Sequence, residues 1–180
     1  MPETQFESIF VPKEQVAIVI GKNGQTRRKI ESLAGVKISV DSKTGEISVE
    51  SKNSGLNFYN ALNIIKAIAR GFAPERAFIL ADDSFLLEII SLEDIIGKSK
   101  SSQIAKKGRI IGRNGTVRNA VEEKTGCSIS VFGKTVAIIG PVGEIEKARK
   151  AVEMLLEGAN HSTVYRFLDR ALLERHRFEL

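Results

Sequence analysis

Apolar and polar residues alternate in "FESIFV" (Phe6 to Val11), which predicts a strand that Pro12 ends. The next run, "KEQVAIVI", is apolar and short and predicts a helix. "QTRRKIESLA" predicts a second helix, with Gly35 as its C-terminal stop. "VKISV" and "EISVE" alternate again, and "DSKTG" between them carries the marks of a hairpin turn. From Asn57 onward the spacing changes. Phe58, Ala61, Leu62, Ile65, Ile68 and Phe72 recur at steps of three and four, the pattern of a long amphipathic helix. The predicted order is β-α-α-β-β-α.

The same order then recurs. "SFLLEII" predicts a strand, "SQIAKKGRII" and "TVRNAVEEKTG" two helices, and "CSISVF" with "TVAIIG" a hairpin turning at Gly133-Lys134. Pro141 and Gly143 punctuate, and Ile145, Ala148, Val152, Leu155 and Leu156 mark a long helix. A last helix carries Val164, Phe167, Leu168, Ala171 and Leu172 on one face. It has no counterpart in the first half, and it either packs on the core or offers a face to a protein partner. In the connection "GFAPERAFILADDS", Pro74 and Glu75 suit the start of a short helix, and Asp82-Asp83-Ser84 suits a turn. These elements predict an α+β protein of two domains, 1–80 and 81–180. Each has a three-stranded antiparallel sheet packed against helices, and the second adds a C-terminal helix.

The two halves match in register. Gly21-Lys22-Asn23-Gly24 returns as Gly112-Arg113-Asn114-Gly115, 91 positions on, and "VKISV" returns as "CSISV" at the same shift. A helix–Gly-x-x-G–helix turn inside this order is the signature of the type I KH domain. Glycine lets the backbone approach a sugar-phosphate chain closely. The helix that follows turns its free N–H groups and positive end toward phosphates. Lys22 with Asn23, and Arg113 with Asn114, point a charge and an amide the same way. Such a groove takes about four unpaired nucleotides. Its bases rest on the apolar floor, within reach of strand backbone groups near Ile38 and Ile129. Where an aliphatic residue is usual in KH domains, three positions after the second glycine, this chain has Arg27 and Arg118, which suit an extra phosphate contact.

Charge adds to this picture. The 180 residues carry a net +5, with a pI near 9.4, a balance that suits a polyanionic partner. No acidic residue lies between Asp94 and Glu122, whereas Lys98, Lys100, Lys106, Lys107, Arg109, Arg113 and Arg118 do. The first hinge has Lys22, Arg27, Arg28 and Lys29, so the richer second patch predicts the tighter groove. Enzyme chemistry finds no footing. "IIGKS" (Ile95 to Ser99) resembles the end of a phosphate-binding loop, but Leu92 stands where that loop needs glycine. Glu122 and Glu123 suit a solvated helix face. One cysteine, Cys127, and two histidines, His161 and His176, leave no disulfide and no Cys/His metal site. Cys127 itself reads as a small buried apolar residue. No leader or membrane span is visible, which predicts a cytoplasmic protein without cofactor.

Over nearly its full length the chain resembles the archaeal two-KH ribosomal-RNA-processing proteins, similar to the eukaryotic pre-ribosomal factor Partner of Nob. The resemblance is carried by "GRIIGRNGTVRNAVEEKTGCSISVFGKTVAIIG", by "RGFAPERA" and by the tail "VYRFLDRALLERHRFEL". It implies binding to small-subunit ribosomal RNA near its 3′ end during maturation. It also implies assembly partners, the 3′-end endonuclease and the α subunit of archaeal initiation factor two. Eukaryotic members tend to lose the first Gly-x-x-G, whereas here Gly21 and Gly24 are present. The alternative is a scaffold whose KH folds mainly hold protein partners.

Overall fold

The chain folds with local chemistry and tertiary contact in agreement at most elements. The computed structural model describes residues 4–52 and 55–178, with side chains to residue 173. Glu179 and Leu180, the end of the tail quoted above, lie outside the described residues, as does the side chain of His176. Contacts divide the chain into two units, Met1–Phe85 and Leu86–Leu180.

In the first unit, strand β1 (Gln5–Phe10) stops before Pro12, whose carbonyl opens helix α1 (Lys13–Ile20). Helix α2 (Gln25–Ala34) ends on Gly35. That residue sits in the left-handed region at φ 63° and returns its N–H to Glu31 O at 2.9 Å. Strands β2 (Lys37–Asp41) and β3 (Glu46–Ser51) form the expected hairpin. In its turn the Lys43 N–H donates to Asp41 Oδ1 at 2.8 Å, which holds the Asp41 carboxyl below its ordinary range. The antiparallel sheet has the order β1-β3-β2. Ile38, Ile47 and Val49 face inward and are buried under α1, α2 and helix α3 (Leu56–Ala69). The outward rows are Phe6–Glu50–Lys37, Ser8–Ser48–Ser39 and Phe10–Glu46–Asp41. All six positions of the long apolar period, Phe58 to Phe72, are buried.

In the second unit, β4 (Phe85–Ser91), β5 (Ser128–Phe132) and β6 (Thr135–Pro141) form an antiparallel sheet in the order β4-β6-β5. A short helix absent from the pattern reading, α5 (Leu92–Ile96), fills the segment resembling a phosphate loop. Ser91 Oγ caps it by accepting from Asp94 N–H at 3.3 Å, and Leu92 is fully buried. Helix α6 (Lys100–Ile111) then starts on a second serine cap, Ser99. Helices α7 (Thr116–Thr125) and α8 (Ile145–Glu157) complete the repeat.

Helix α9 (His161–Phe178) packs on α7 and α8 through Val164, Leu168 and Phe167, and Lys124 pairs with Asp169 across the seam. It has a shorter counterpart after all. In the first unit α4 (Pro74–Ala77) and the 3₁₀ turn that follows it, Phe78–Ala81, pack on α3, burying Ala77 and Leu80. Pattern reading missed the match because the register slips after the long helix, so that Gly71 and Gly158 stand in equivalent places.

Cys127 is 3% exposed and packs so tightly that a Cβ on Gly140 would lie 2.2 Å from its Sγ. Burial pushes the thiol above its ordinary range. The folded protein is therefore expected to react very slowly with a disulfide dye at neutral pH and stoichiometrically once unfolded in denaturant. Fast reaction under native conditions would contradict the buried placement. The linkage has a sign: the unfolded thiol ionises first, so this group's contribution to stability falls once pH rises past the unfolded thiol pKa.

Candidate nucleic-acid interface

Each hinge is built by the same three backbone choices. Gly21 and Gly112 both sit at φ 73° and close the preceding helix, through N–H bonds of 2.9 Å to Ala17 O and Gly108 O. A single 3₁₀ turn follows. In it Asn23 (φ 51°, ψ 28°) and Asn114 (φ 54°, ψ 29°) are the non-glycine residues in the left-handed region. Gly24 and Gly115 then cap α2 and α7 at φ 74° and 79°. Asparagine tolerates this region better than almost any other side-chain-bearing residue. The middle pair is thus set by backbone demand as well as by its amide.

The two glycines of a hinge have different jobs. A Cβ on Gly21 would lie 2.2 Å from Thr26 Oγ1 and 2.7 Å from Thr26 N, and one on Gly112 would lie 2.4 Å from Val117 Cγ2. The first glycine is needed because the chain folds back on the next helix. A Cβ on Gly24 would meet Arg28 Nη1 first, at 3.3 Å. A Cβ on Gly115 would lie 3.7 Å from the side chains of Arg118 and Asn119. Only flexible side-chain ends stand there, so the second glycine is the less crowded of the two, although Gly115 itself is buried.

Lys22, Asn23, Arg113 and Asn114 are exposed. No side chain caps the N-terminus of α2 or α7, which leaves the positive end of each helix to an outside anion. Arg27 and Arg118 are half-buried, and the Nε of each has no hydrogen-bond partner. The same unsatisfied donor appears in both units, one helical turn past the hinge. The structure brings Gly21, Lys22, Asn23, Gly24 and Arg27 together in one unit, and Gly112, Arg113, Asn114, Gly115 and Arg118 in the other.

The remaining sequence-predicted residues are placed otherwise. Ile38 and Ile129 point into the core, and their backbone N–H groups are already taken. Glu31 Oε1 accepts from Ile38 N at 2.9 Å, and Glu122 Oε1 accepts from Ile129 N at 2.7 Å. Glu122 is therefore no idle surface charge. Glu31 escaped the sequence reading and Glu122 was read as part of a solvated face, although their 91-residue spacing was the available sign. Of the long basic run, Arg109 reaches Leu155 O at 3.3 Å and Ala159 O at 2.5 Å, and so caps the end of α8. Lys106 brings its ammonium to 3.6 Å from where a Cβ would stand on Gly158. Lys107 bonds the carbonyl of Gly133 in the hairpin turn. Lys22, Arg27, Arg28 and Lys29 in one unit, and Arg113 and Arg118 in the other, lie in the hinge or in the first turns of the helix after it. Two of the seven cations that favoured the second groove are thus engaged by the fold itself.

The chain is similar to known proteins over its whole length. The family model described as eukaryotic type KH-domain (KH-domain type I) matches residues 86–172, and a KH domain model matches 6–58. A KH domain-containing protein of Methanocaldococcus jannaschii is 39% identical over 183 residues, covering 99% of this chain and 80% of that protein. The crystal structure of Dim2p from Pyrococcus horikoshii OT3 is 46% identical with a TM-score of 0.85, over 92% of this chain and 99% of that one. A second structure from that organism, of the a/eIF2α–aDim2p–rRNA complex, contains a chain 45% identical with a TM-score of 0.89, over 95% of this chain and 96% of that one.

Glycine substitutions separate the two roles. Gly35 has a φ of 63° and open space around it, so Gly35→Ala reports left-handed strain alone, about 1–2 kcal/mol. Gly21→Ala adds the clash with Thr26 and is expected to lower Tm clearly further in a calorimetric melt. Gly24→Ala should stay near the Gly35→Ala value. If Gly21→Ala melts no earlier than Gly35→Ala, the tight contact does not limit stability.

Proposed function

The chain belongs to the family of two-KH-domain proteins that includes archaeal Dim2p, and on that footing we propose that it binds single-stranded small-subunit ribosomal RNA through both Gly-x-x-G hinges during ribosome assembly. The observation that carries the reading is the duplicated hinge. Each copy joins an uncapped helix N-terminus, an exposed cation, an exposed left-handed asparagine and a half-buried arginine with an unpaired Nε. Together these groups present donors and positive charge to one strand of phosphates.

The finer reading is that the RNA is the 3′ end of the 16S species. Its support is the resemblance noted above, together with the rRNA held in the Pyrococcus complex. The same complex supports the initiation factor two α subunit as a protein partner, and the resemblance adds the 3′-end endonuclease. Chemistry belongs to such partners, since this family is one of binding proteins. No helix among the described residues is long and apolar enough to cross a membrane. We place the protein in the cytoplasm, with ribosome assembly, and give each domain its own groove, 1–80 and 81–180.

The scaffold reading keeps one observation of its own. Phe6 and Phe10 are 66% and 73% exposed on the outward face of the first sheet, beside Glu50 and Glu46. That face is apolar and acidic, which suits a basic protein segment and repels RNA. The substitutions Phe6→Ser and Phe10→Ser should leave RNA affinity unchanged. If the protein is chiefly a scaffold, they should be the damaging changes.

RNA binding is tested by titration with a short single strand and with a duplex of equal length at two salt concentrations. The single strand should bind better, and its affinity should fall as salt rises. Lys22→Asp with Asn23→Asp, and Arg113→Asp with Asn114→Asp, should each weaken binding by comparable amounts while melting near the parent. Equal affinity for duplex, or indifference to both hinge variants, would move the scaffold reading ahead.

A further inference from the structure

The bonds that Glu31 and Glu122 make to the strand edge change what a bound base would meet. Strands β2 and β5 are edge strands. Ile38 pairs with Val49 and Ile129 with Ile138, yet their N–H groups bond glutamate rather than the neighbouring strand. They are therefore non-hydrogen-bonded positions, whose N–H and C=O both open to the free edge. A bare edge there would offer one donor and one acceptor. Here the donor is consumed by a carboxylate, which is itself acceptor-only and retains lone pairs on its second oxygen. What remains is a row of acceptors: the strand carbonyl and the carboxylate. Glu31 lies seven residues beyond Gly24, about 10 Å along α2 from the hinge, and Glu122 stands in the same place on α7. Both carboxylates are half-buried, between helix and strand.

We propose that Glu31 and Glu122 make the two grooves selective for bases with an exocyclic amino group, cytosine foremost, and against uracil. This rests on the RNA-groove reading. Cytosine turns its N4 amino donor toward an acceptor, and the carboxylate of glutamate is its fitting partner. Uracil differs at that position by an oxygen, so it would bring an acceptor against the carboxylate. The two pyrimidines stack alike, which isolates the hydrogen-bond difference. A purely structural clamp between helix and strand would have no reason to discriminate between them.

The test compares short oligomers of cytidine and uridine on the intact protein. Cytidine should bind about tenfold more tightly. In the Glu31→Gln/Glu122→Gln variant the amide oxygen can still accept from the strand N–H, so the fold should hold. Its NH₂ can also donate to uracil O4, so the cytidine preference should fall to about threefold or less. A second measurement needs no variant: oligomers of N4,N4-dimethylcytidine lack the donor and should lose the advantage over uridine. Equal binding of cytidine and uridine by the parent protein would overturn the proposal and leave RNA binding intact. So would a preference that persists in a folded double variant or with the dimethylated base. Failure of every oligomer to bind would remove the groove reading itself.

Discussion

The absence of a Cβ at Gly21 and at Gly112 is the constraint on which each unit rests. The chain must leave one helix, turn within three residues and start the next so closely that its first turn touches the glycine it has just passed. That contact fixes the angle between the helices. The angle brings Ile30 and Val121 into the core beside the sheet, and it places Glu31 and Glu122 over the strand edge. The uncapped helix ends and the glutamate-bonded strand edges are thus two outcomes of one steric requirement.

Much of this was legible in the sequence, because most of it is local. Helix α3 announces itself by its three- and four-residue period, β2 and β3 by alternation, and the repeat by a gapless shift. Near misses arose where side chains act over long separations. Arg109 bonds carbonyls 46 and 50 residues away, and Lys107 one that is 26 residues away. Nothing in the local pattern distinguishes such cations from those beside a hinge. Helix α5 escaped because five residues hold too little periodicity, and its serine cap was its only mark. The hinge glycines were recognised, but not the internal crowding that demands the first of each pair.

Net charge is a poor guide to where a polyanion would lie on such a molecule. Cations at the end of α8 answer that helix's own exposed carbonyls, and Lys134 hydrogen-bonds Glu93 at 2.6 Å, holding its carboxyl below the ordinary range. The outward face of the first sheet is acidic within a basic chain. The cations at the hinges are few, and the backbone geometry that holds them is the same in both units.

Each hinge also contains an Asn-Gly dipeptide, the pair most prone to deamidation, because an unhindered glycine nitrogen can attack the asparagine side chain. In this turn the Gly24 N–H is held by Gly21 O at 3.1 Å and the Gly115 N–H by Gly112 O at 3.2 Å. The attacking nitrogen is thereby engaged, and the asparagine backbone is fixed away from the extended form in which ring closure proceeds. The fold that exposes these asparagines at the surface also slows their chemical ageing, which would otherwise place a negative charge where each hinge carries its positive one.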